Sequence, residues 1–226
     1  MDKDLFKKLS EIIKAQNELL QALKNELIDN NGHDYVDLDL PSGTLWATMN
    51  VGASKPTDYG SYFQWGDTQG YKDSLVGKIK RFSWDDYKWY NTNKSGLKKY
   101  KDLGATLDLE DDAAHAKMGG DWHIPTPEQI KELLNNTDNH WITLDGTNGY
   151  IFKSKKDKNK SIFIPAAGCA MGGSVYDCES NGYIWSSMLS IDSAYSAQLL
   201  YFYFGLEKLC SGYSCCDGFS VRGVIG

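Results

Sequence analysis

From residue 140 onward the chain is a succession of short segments in which apolar and polar residues alternate: HWITL (140–144), GYIFKS (149–154), SIFIPAAG (161–168), GYIWSS (182–187), SAQLLYFYF (196–204) and SVRGVI (220–225). Alternate side chains of an extended chain face opposite sides of a sheet, so this period predicts strands, and their shortness predicts many of them. The stretch HDYVDLDLPSGTLWATMNVGA follows the same pattern. There Tyr35, Val36, Leu38 and Leu40 run up to a Pro41-Ser42-Gly43 turn, and the pattern resumes at Thr44-Leu45-Trp46-Ala47, which predicts a hairpin. SYFQWGDT (61–68) and FSWDDYKWYN (82–91) are further short aromatic segments.

Two helices interrupt the strands. In PTPEQIKELLNN (125–136) Thr126 is a natural N-cap, Pro127 suits the first helical position, and Gln129 stands where a capping box needs it. Ile130, Leu133 and Leu134 form its buried stripe. A second short helix is expected from Glu110 to Met118, stopped by Gly119-Gly120. The class is therefore α+β, two helices among many short antiparallel strands. An amino-terminal helix stands outside this set. Residues 4–28 repeat apolar side chains in steps of three and four, with Phe6, Ile13, Leu20 and Leu27 at one heptad position and Leu9, Gln16 and Leu23 at the other. So narrow a seam on a polar helix predicts a coiled coil joining copies of the chain, a trimer being favoured. Asp29-Asn30-Asn31-Gly32 ends that helix, which divides the chain into a segment 1–32 and a domain 33–226.

A net charge of −6 over 226 residues leaves no basic face for phosphate, which argues against nucleic acid as a partner. The Lys-rich tract KSKKDKNK (153–160) is broken by Asp and Asn and reads as a hairpin tip. An apolar fraction of 41% is enough for a globular core. No apolar run is long enough to cross a bilayer, so no membrane insertion is expected. MDKDLFKKLSEII has no signal-peptide hydrophobic region, and no secretion signal is expected from it.

Between the last strands lies CSGYSCCD, Cys210 to Asp217, with neither helical nor strand periodicity and no aliphatic anchor, which reads as a loop. Tyr supplies rigid amphipathic contact area at small entropic cost, and Ser and Gly let a surface adapt, so these residue types suit binding better than packing. Upstream, Leu200 and Phe202 alternate with Leu199, Tyr201 and Tyr203 as in a half-buried strand with an aromatic outer face, and Glu207-Lys208 marks a turn. None of the seven tryptophans follows Trp185, so the mass that builds a core lies outside this tail.

Signals for chemistry are weaker. The acidic run Asp108, Glu110, Asp111 and Asp112 offers hard oxygens for calcium, but it lacks the glycine and spacing of an EF-hand, and a helix start favours carboxylates anyway. No metal and no cofactor is assigned. His115 and His123 are not spaced as a zinc pair, and buried or capping roles are expected for them. The five cysteines, Cys169, Cys178, Cys210, Cys215 and Cys216, fit no zinc pattern and read as free thiols, a Cys169–Cys178 bridge being left open. Cys215 or Cys216 as a nucleophile has no histidine after His140 to suggest a nearby base. Nucleophile elbow, phosphate loop and dinucleotide fingerprint are all absent, so the expectation is a protein without catalytic residues.

YVDLDLPSGTLWATMNVGA, LEDDAAHAKMGGDWHIPTPEQIKELL, NGYIFKS, SIFIPAAG, GYIWSS and the terminal SVRGVI, in that order, resemble the Fibrobacter-succinogenes-type major paralogous domains, a bacterial and phage group with a C-type-lectin-like fold. The resemblance runs from about Tyr35 to the end and leaves the amino-terminal helix outside. Some of that group resemble variable proteins of diversity-generating retroelements, akin to the phage major tropism determinant. In those systems an error-prone reverse transcriptase rewrites adenines in the last codons of the gene. Every residue of CSGYSCCD is reachable from Asn codons so rewritten, whereas Met188, Gln198, Glu207 and Lys208 are not and count as fixed.

The resemblance implies a ligand-binding, receptor-recognition protein with a variable region over about residues 188–219. It implies contact with a partner through Tyr195, Ser196, Leu199, Tyr201 and Tyr203 of the strand. From the loop it adds Cys210, Ser211, Gly212, Tyr213, Ser214, Cys215, Cys216 and Asp217. The partner would be a protein or cell-surface receptor. The setting would be a phage tail or fibre assembled in the cytoplasm, or a bacterial surface if a native signal precedes this sequence. The Glu-Pro-Asn and Gln-Pro-Asp motifs of calcium-dependent lectins are missing, so the fold does not imply sugar binding. The alternatives are a formylglycine-generating-like enzyme on the same fold, using Cys210, Cys215 or Cys216, and a structural domain of a tail or surface assembly.

Overall fold

The computed structural model describes residues 8–18, 31–78, 81–92 and 96–226. Residues 8–18 form a helix, α1, on which Leu9, Ile12 and Ile13 are exposed. The other apolar seam positions, Phe6, Leu20, Leu23 and Leu27, lie outside the described residues.

The predicted hairpin forms: β1 (Tyr35–Asp37) pairs antiparallel with β2 (Leu45–Asn50), Val36 opposite Trp46. β2 also pairs with the last strand, β13 (Arg222–Ile225), so both ends of the domain meet in one three-stranded sheet. Arg222 fastens this closure. Its side chain is fully buried; Nε donates to Asn50 Oδ1 at 3.0 Å, Nη1 to Ala47 O at 2.9 Å and Nη2 to Phe163 O at 2.8 Å. A cation away from water is tolerated only when its donors are satisfied, and here a planar fork reaches acceptors on two sheets.

The second of those sheets is the antiparallel meander β4 (Thr137–Leu144), β5 (Thr147–Ser154) and β6 (Ser161–Pro165), with the Lys-rich tract at the tip between β5 and β6. The third and largest sheet has the order β11-β10-β9-β12-β3. It consists of β3 (Tyr62–Phe63), β9 (Asn181–Leu189), β10 (Ser196–Tyr203), β11 (Leu206–Ser214) and β12 (Phe219–Ser220). Over residues 182–187 of β9 and 196–200 of β10, both faces are covered. Neighbours Leu199 and Leu200 point opposite ways and both are 0% exposed, as are Ile184 and Trp185.

One face of that sheet, with Trp185, Ala197 and Leu199, packs on Trp65, Tyr87, Leu97 and Trp122 from the long connections. The opposite face, with Ile184, Leu200 and Phe202, packs on Ile130 and Leu133 of α4 (Pro127–Asn136) and on Tyr150, Phe152, Ile162 and Ile164 of the meander. Each such fully buried side chain contributes about 1.5–3 kcal/mol through area removed from water. The capping box of α4 is complete: Thr126 Oγ1 accepts from Gln129 N at 3.2 Å, and Gln129 Oε1 accepts from Thr126 N at 2.9 Å.

Other expectations are corrected. The helix read from Glu110 to Met118 is divided into a 3₁₀ turn, Leu109–Asp111, and α3 (Ala113–Met118). Asp112 stays extended between them because its Oδ1 caps α3, accepting from His115 N at 3.0 Å. FSWDDYKWYN, read only as a short aromatic segment, makes turns, since Asp86 accepts from the amides of Phe82 (3.2 Å) and Ser83 (2.8 Å) and folds the chain back. A one-turn helix, α2 (Asp73–Val76), and a hairpin of β7 (Cys169–Met171) with β8 (Ser174–Tyr176) have no counterpart in the sequence pattern. Elements of three or four residues are too short to display a period.

Candidate functional site

The tail departs most from its sequence reading. Cys210 to Ser214 are not loop: they complete β11, which forms a hairpin with β10 around Phe204-Gly205. Glu207 and Lys208 therefore lie on a strand opposite Phe202 and Tyr201, not in a turn. The missing periodicity has a local cause. Leu199 pairs with Cys210 but Ala197 pairs with Tyr213, so β11 carries an extra residue and bulges at Ser211-Gly212. Gly212 sits at φ +104, a region that side chains rarely enter, which makes glycine the fitting residue there.

The register sends Tyr201, Tyr203, Cys210 and Tyr213 to the face of the sheet that also carries Tyr183 and Phe219. Ring centroids lie 5.1 Å apart for Tyr183–Tyr201, 5.4 Å for Tyr183–Tyr213, 5.9 Å for Tyr201–Tyr213 and 5.7 Å for Tyr201–Tyr203. Phe219 stacks on Tyr183 at 4.9 Å. Tyr183 is buried, Tyr201 and Tyr213 are half-buried, and Tyr203 is 38% exposed, so the cluster grades from core to surface. Burial raises the hydroxyls of Tyr201 and Tyr213, the latter to about 12, which leaves both protonated near neutral pH. Asp177, just after β8, places Oδ2 3.5 Å from the Tyr183 hydroxyl. Neither Asp177 nor Tyr183 stood out in the sequence. The one available signal was the spacing of Tyr183 and Trp185 in GYIWSS, which puts them on the same strand face.

Ser211 and Gly212 are exposed at the bulge, where the Ser190 and Ser211 hydroxyls share a hydrogen bond of 2.6 Å; Cys210 and Ser214 are half-buried. Tyr195 packs elsewhere: its hydroxyl accepts from Gly96 N at 3.0 Å and its ring meets Trp84 edge-on. Four expected contact residues are corrected, because Ser196, Leu199, Cys215 and Cys216 are buried. Leu199 belongs to the stretch of β10 covered on both faces. Cys215 and Cys216 follow the chain inward as it leaves β11 to meet β3.

Main-chain groups hold that inward turn. Trp65 N donates to Cys215 O at 2.9 Å, Cys215 N donates to Tyr195 O at 3.0 Å, and Gly218 and Ala170 exchange amide-to-carbonyl bonds of 2.8 Å. Gln64 Nε2 donates to Cys216 O at 3.0 Å and to Asp86 Oδ2 at 3.1 Å. These bonds use amides and carbonyls and do not depend on the segment's side chains, while Cys215 and Cys216 add core packing of their own.

Burial pushes every thiol up: Cys169 and Cys216 to about 12, and Cys178, Cys210 and Cys215 in the same direction. An activated cysteine nucleophile has its thiol lowered instead. All five are free, so Cys169 and Cys178 are not bridged. The acidic run is likewise engaged. Lys99 Nζ lies 2.7 Å from oxygens of Asp108, Glu110 and Asp111, and Lys88 Nζ lies 2.8 Å from Asp111. Asp112 is committed to the α3 cap and to Ile124 N at 2.8 Å, and His123 Nδ1 lies 3.0 Å from Ile124 O.

Burial also pushes the half-buried Asp217 carboxyl up to about 6. A carboxyl raised by folding favours the native state while protonated, so this stability is present below about pH 4 and lost as pH rises through about 6. Asp217→Asn is expected to be more stable than wild type at pH 7–8 by about 1 kcal/mol, the effect being held down by solvent access to the group. The two proteins should converge below about pH 4 in urea unfolding; a constant difference at all pH values would exclude titration of Asp217 as the cause.

No family model matches this sequence, no curated protein matches it, and no solved structure matches it. No described helix is long and apolar enough to cross a membrane. The fold defines the class as a mixed α+β protein with few helices and several sheets of mainly antiparallel strands, displaying a tyrosine-rich hairpin at one sheet edge.

Proposed function

We propose that this protein recognises a ligand through the β10–β11 surface, that its domain is a C-type-lectin-like scaffold, and that a retroelement diversifies the surface. One observation carries the reading: the hairpin and its inward turn are held by main-chain hydrogen bonds, while Tyr203 and Ser211 are exposed and Tyr201 and Tyr213 are half-buried beside them. A scaffold of that kind keeps its shape while its contact residues change. Tyr and Ser are also the side chains that build adaptable recognition surfaces. The outward Leu9, Ile12 and Ile13 of α1 support self-association by a coiled coil, which would gather several weak sites into one avid array. Receptor binding in a phage tail or fibre is the role this combination serves. The raised thiols weigh against the formylglycine-type alternative.

The test is a library randomised at Tyr201, Tyr203, Ser211 and Tyr213 and panned on two unrelated purified proteins. Each target should select its own side chains; folding stability should stay within about 0.5 kcal/mol of wild type for changes at exposed Tyr203 and fall further where half-buried Tyr201 or Tyr213 is replaced. Recovery of no binders from folded members would reject the reading. Diversification is checked in the DNA beside the gene, where a near-copy of the last codons should differ at adenines in the codons of these exposed residues. Mismatches concentrated at the codons of Trp185, Phe219 and Arg222 would contradict it.

A further inference from the structure

The tyrosine cluster has a chemical bias that the hairpin does not create. Asp177 is exposed and lies outside the hairpin, in a left-handed conformation at φ +59. Its carbonyl accepts from Ser180 N at 3.1 Å and Asn181 N at 2.9 Å, which fixes the backbone that carries the carboxylate. That carboxylate lies at the hydroxyl end of the cluster, 3.5 Å from Tyr183. None of the ion pairs among the described residues involves Asp177. Lys208, opposite Tyr201 in the register, is exposed and makes no ion pair with Asp177 among the described residues.

We infer that the outer rings of the cluster, Tyr201, Tyr203 and Tyr213, with Asp177 beside them, take a cationic side chain, arginine or lysine, presented by a protein partner. The face of each ring carries the negative end of its quadrupole and attracts a cation within about 6 Å of the centroid. A carboxylate beside the rings adds a charge-assisted hydrogen bond to a guanidinium or ammonium group. An anionic group on the partner would meet Asp177 in repulsion, and an apolar one would strip its water without replacing it. The chain's net charge of −6 favours approach of basic surfaces in the same sense. Asp177 precedes the hairpin, so its negative charge stays beside the surface while Tyr201 and Tyr213 vary. The inference rests on the binding-surface reading and adds the chemical class of the contact.

The experiment titrates the full chain with a blocked Gly-Arg-Gly peptide and with its uncharged citrulline counterpart, following the tyrosine ring resonances by NMR. The arginine peptide should shift Tyr201, Tyr203 and Tyr213 and bind at least about fivefold more tightly than the citrulline peptide. Asp177→Asn, at an exposed position, should abolish that preference with the fold intact by circular dichroism. Equal binding of the two peptides, or a preference unchanged in Asp177→Asn, overturns the inference. The panning experiment separates the two failures. Successful panning without an arginine preference removes only the cationic class, whereas failure of both removes the binding surface as well.

Discussion

Arg222→Met is expected to destabilise the domain by about 3–5 kcal/mol, measured by urea unfolding followed through tryptophan fluorescence. The magnitude follows from what is left behind. Ala47 O and Phe163 O are main-chain acceptors that no substitution of Arg222 can remove, and Asn50 Oδ1 is buried with them. A methionine fills part of the volume but leaves three acceptors without donors, and each such group costs about 1–3 kcal/mol. Arg222→Lys tests the origin of the effect. It keeps the charge, yet one ammonium cannot reach acceptors spread over two sheets in a planar fork, so it should lose most of the same stability. A loss below about 1 kcal/mol in Arg222→Met would mean that the pairing of β2 with β13 depends on packing alone.

Gly182→Ala should cost about 2–3 kcal/mol, a large penalty for one methyl group. Gly182 pairs with Phe202 across β9 and β10, and a Cβ on Gly182 would lie 1.9 Å from Phe202 Cζ. The ring cannot swing away. It is fully buried, with Tyr150 at 5.5 Å and Trp141 at 6.5 Å between centroids. Phe202→Leu opens a small cavity of its own but makes room for the new methyl. The double variant should therefore be more stable than the sum of the single effects predicts, by about 1 kcal/mol or more. Strict additivity, measured as unfolding free energies of all four proteins, would rule out this clash. Phe202 also seats the strand that presents Tyr201 and Tyr203, so the same substitution should weaken binding at the proposed surface.

Much of the architecture is legible in the order of the residues. Thr126, Pro127 and Gln129 announce α4 because capping is a contest among neighbouring backbone groups, decided within four residues. The hairpin of β1 and β2 and the strands β4 and β5 follow from period-two alternation, each with one face more buried than the other, while β6, buried from Ile162 to Pro165, is legible as a short apolar run. Alternation fails as a guide where that difference is missing. From Ser196 to Leu200 β10 is buried on both faces, so alternation cannot distinguish Leu199 from Tyr201 as an outward residue, and the exposure it suggests for Leu199 is misleading. β11 escapes detection because the bulge at Ser211-Gly212 breaks its period and because Cys, Ser and Gly carry little strand signal.

The candidate site is half legible. Tyr201, Tyr203, Ser211 and Tyr213 are expected at the surface and are there to differing degrees; Cys215 and Cys216 are expected there and are buried. Their residue type offers no guide, since a thiol is at ease in either place. Asp177 reaches the tyrosines only because β7 and β8 fold beside β12, with Ala170 bonded to Gly218. Nothing local to Asp177 records that approach.

What the sequence determined by itself were the properties that neighbours along the chain decide: the class, α+β, the cap of α4, the turn at Pro41-Ser42-Gly43, and the residue types on which the proposed contact surface rests. What only the tertiary structure decided depends on partners far apart in the chain. The bonds of Arg222 to Ala47 and Phe163, the grip of Trp65 on Cys215 and the meeting of Asp177 with Tyr183 arise when strands distant in sequence come into register. Burial is set by what covers a residue, and that cover comes from elsewhere in the chain.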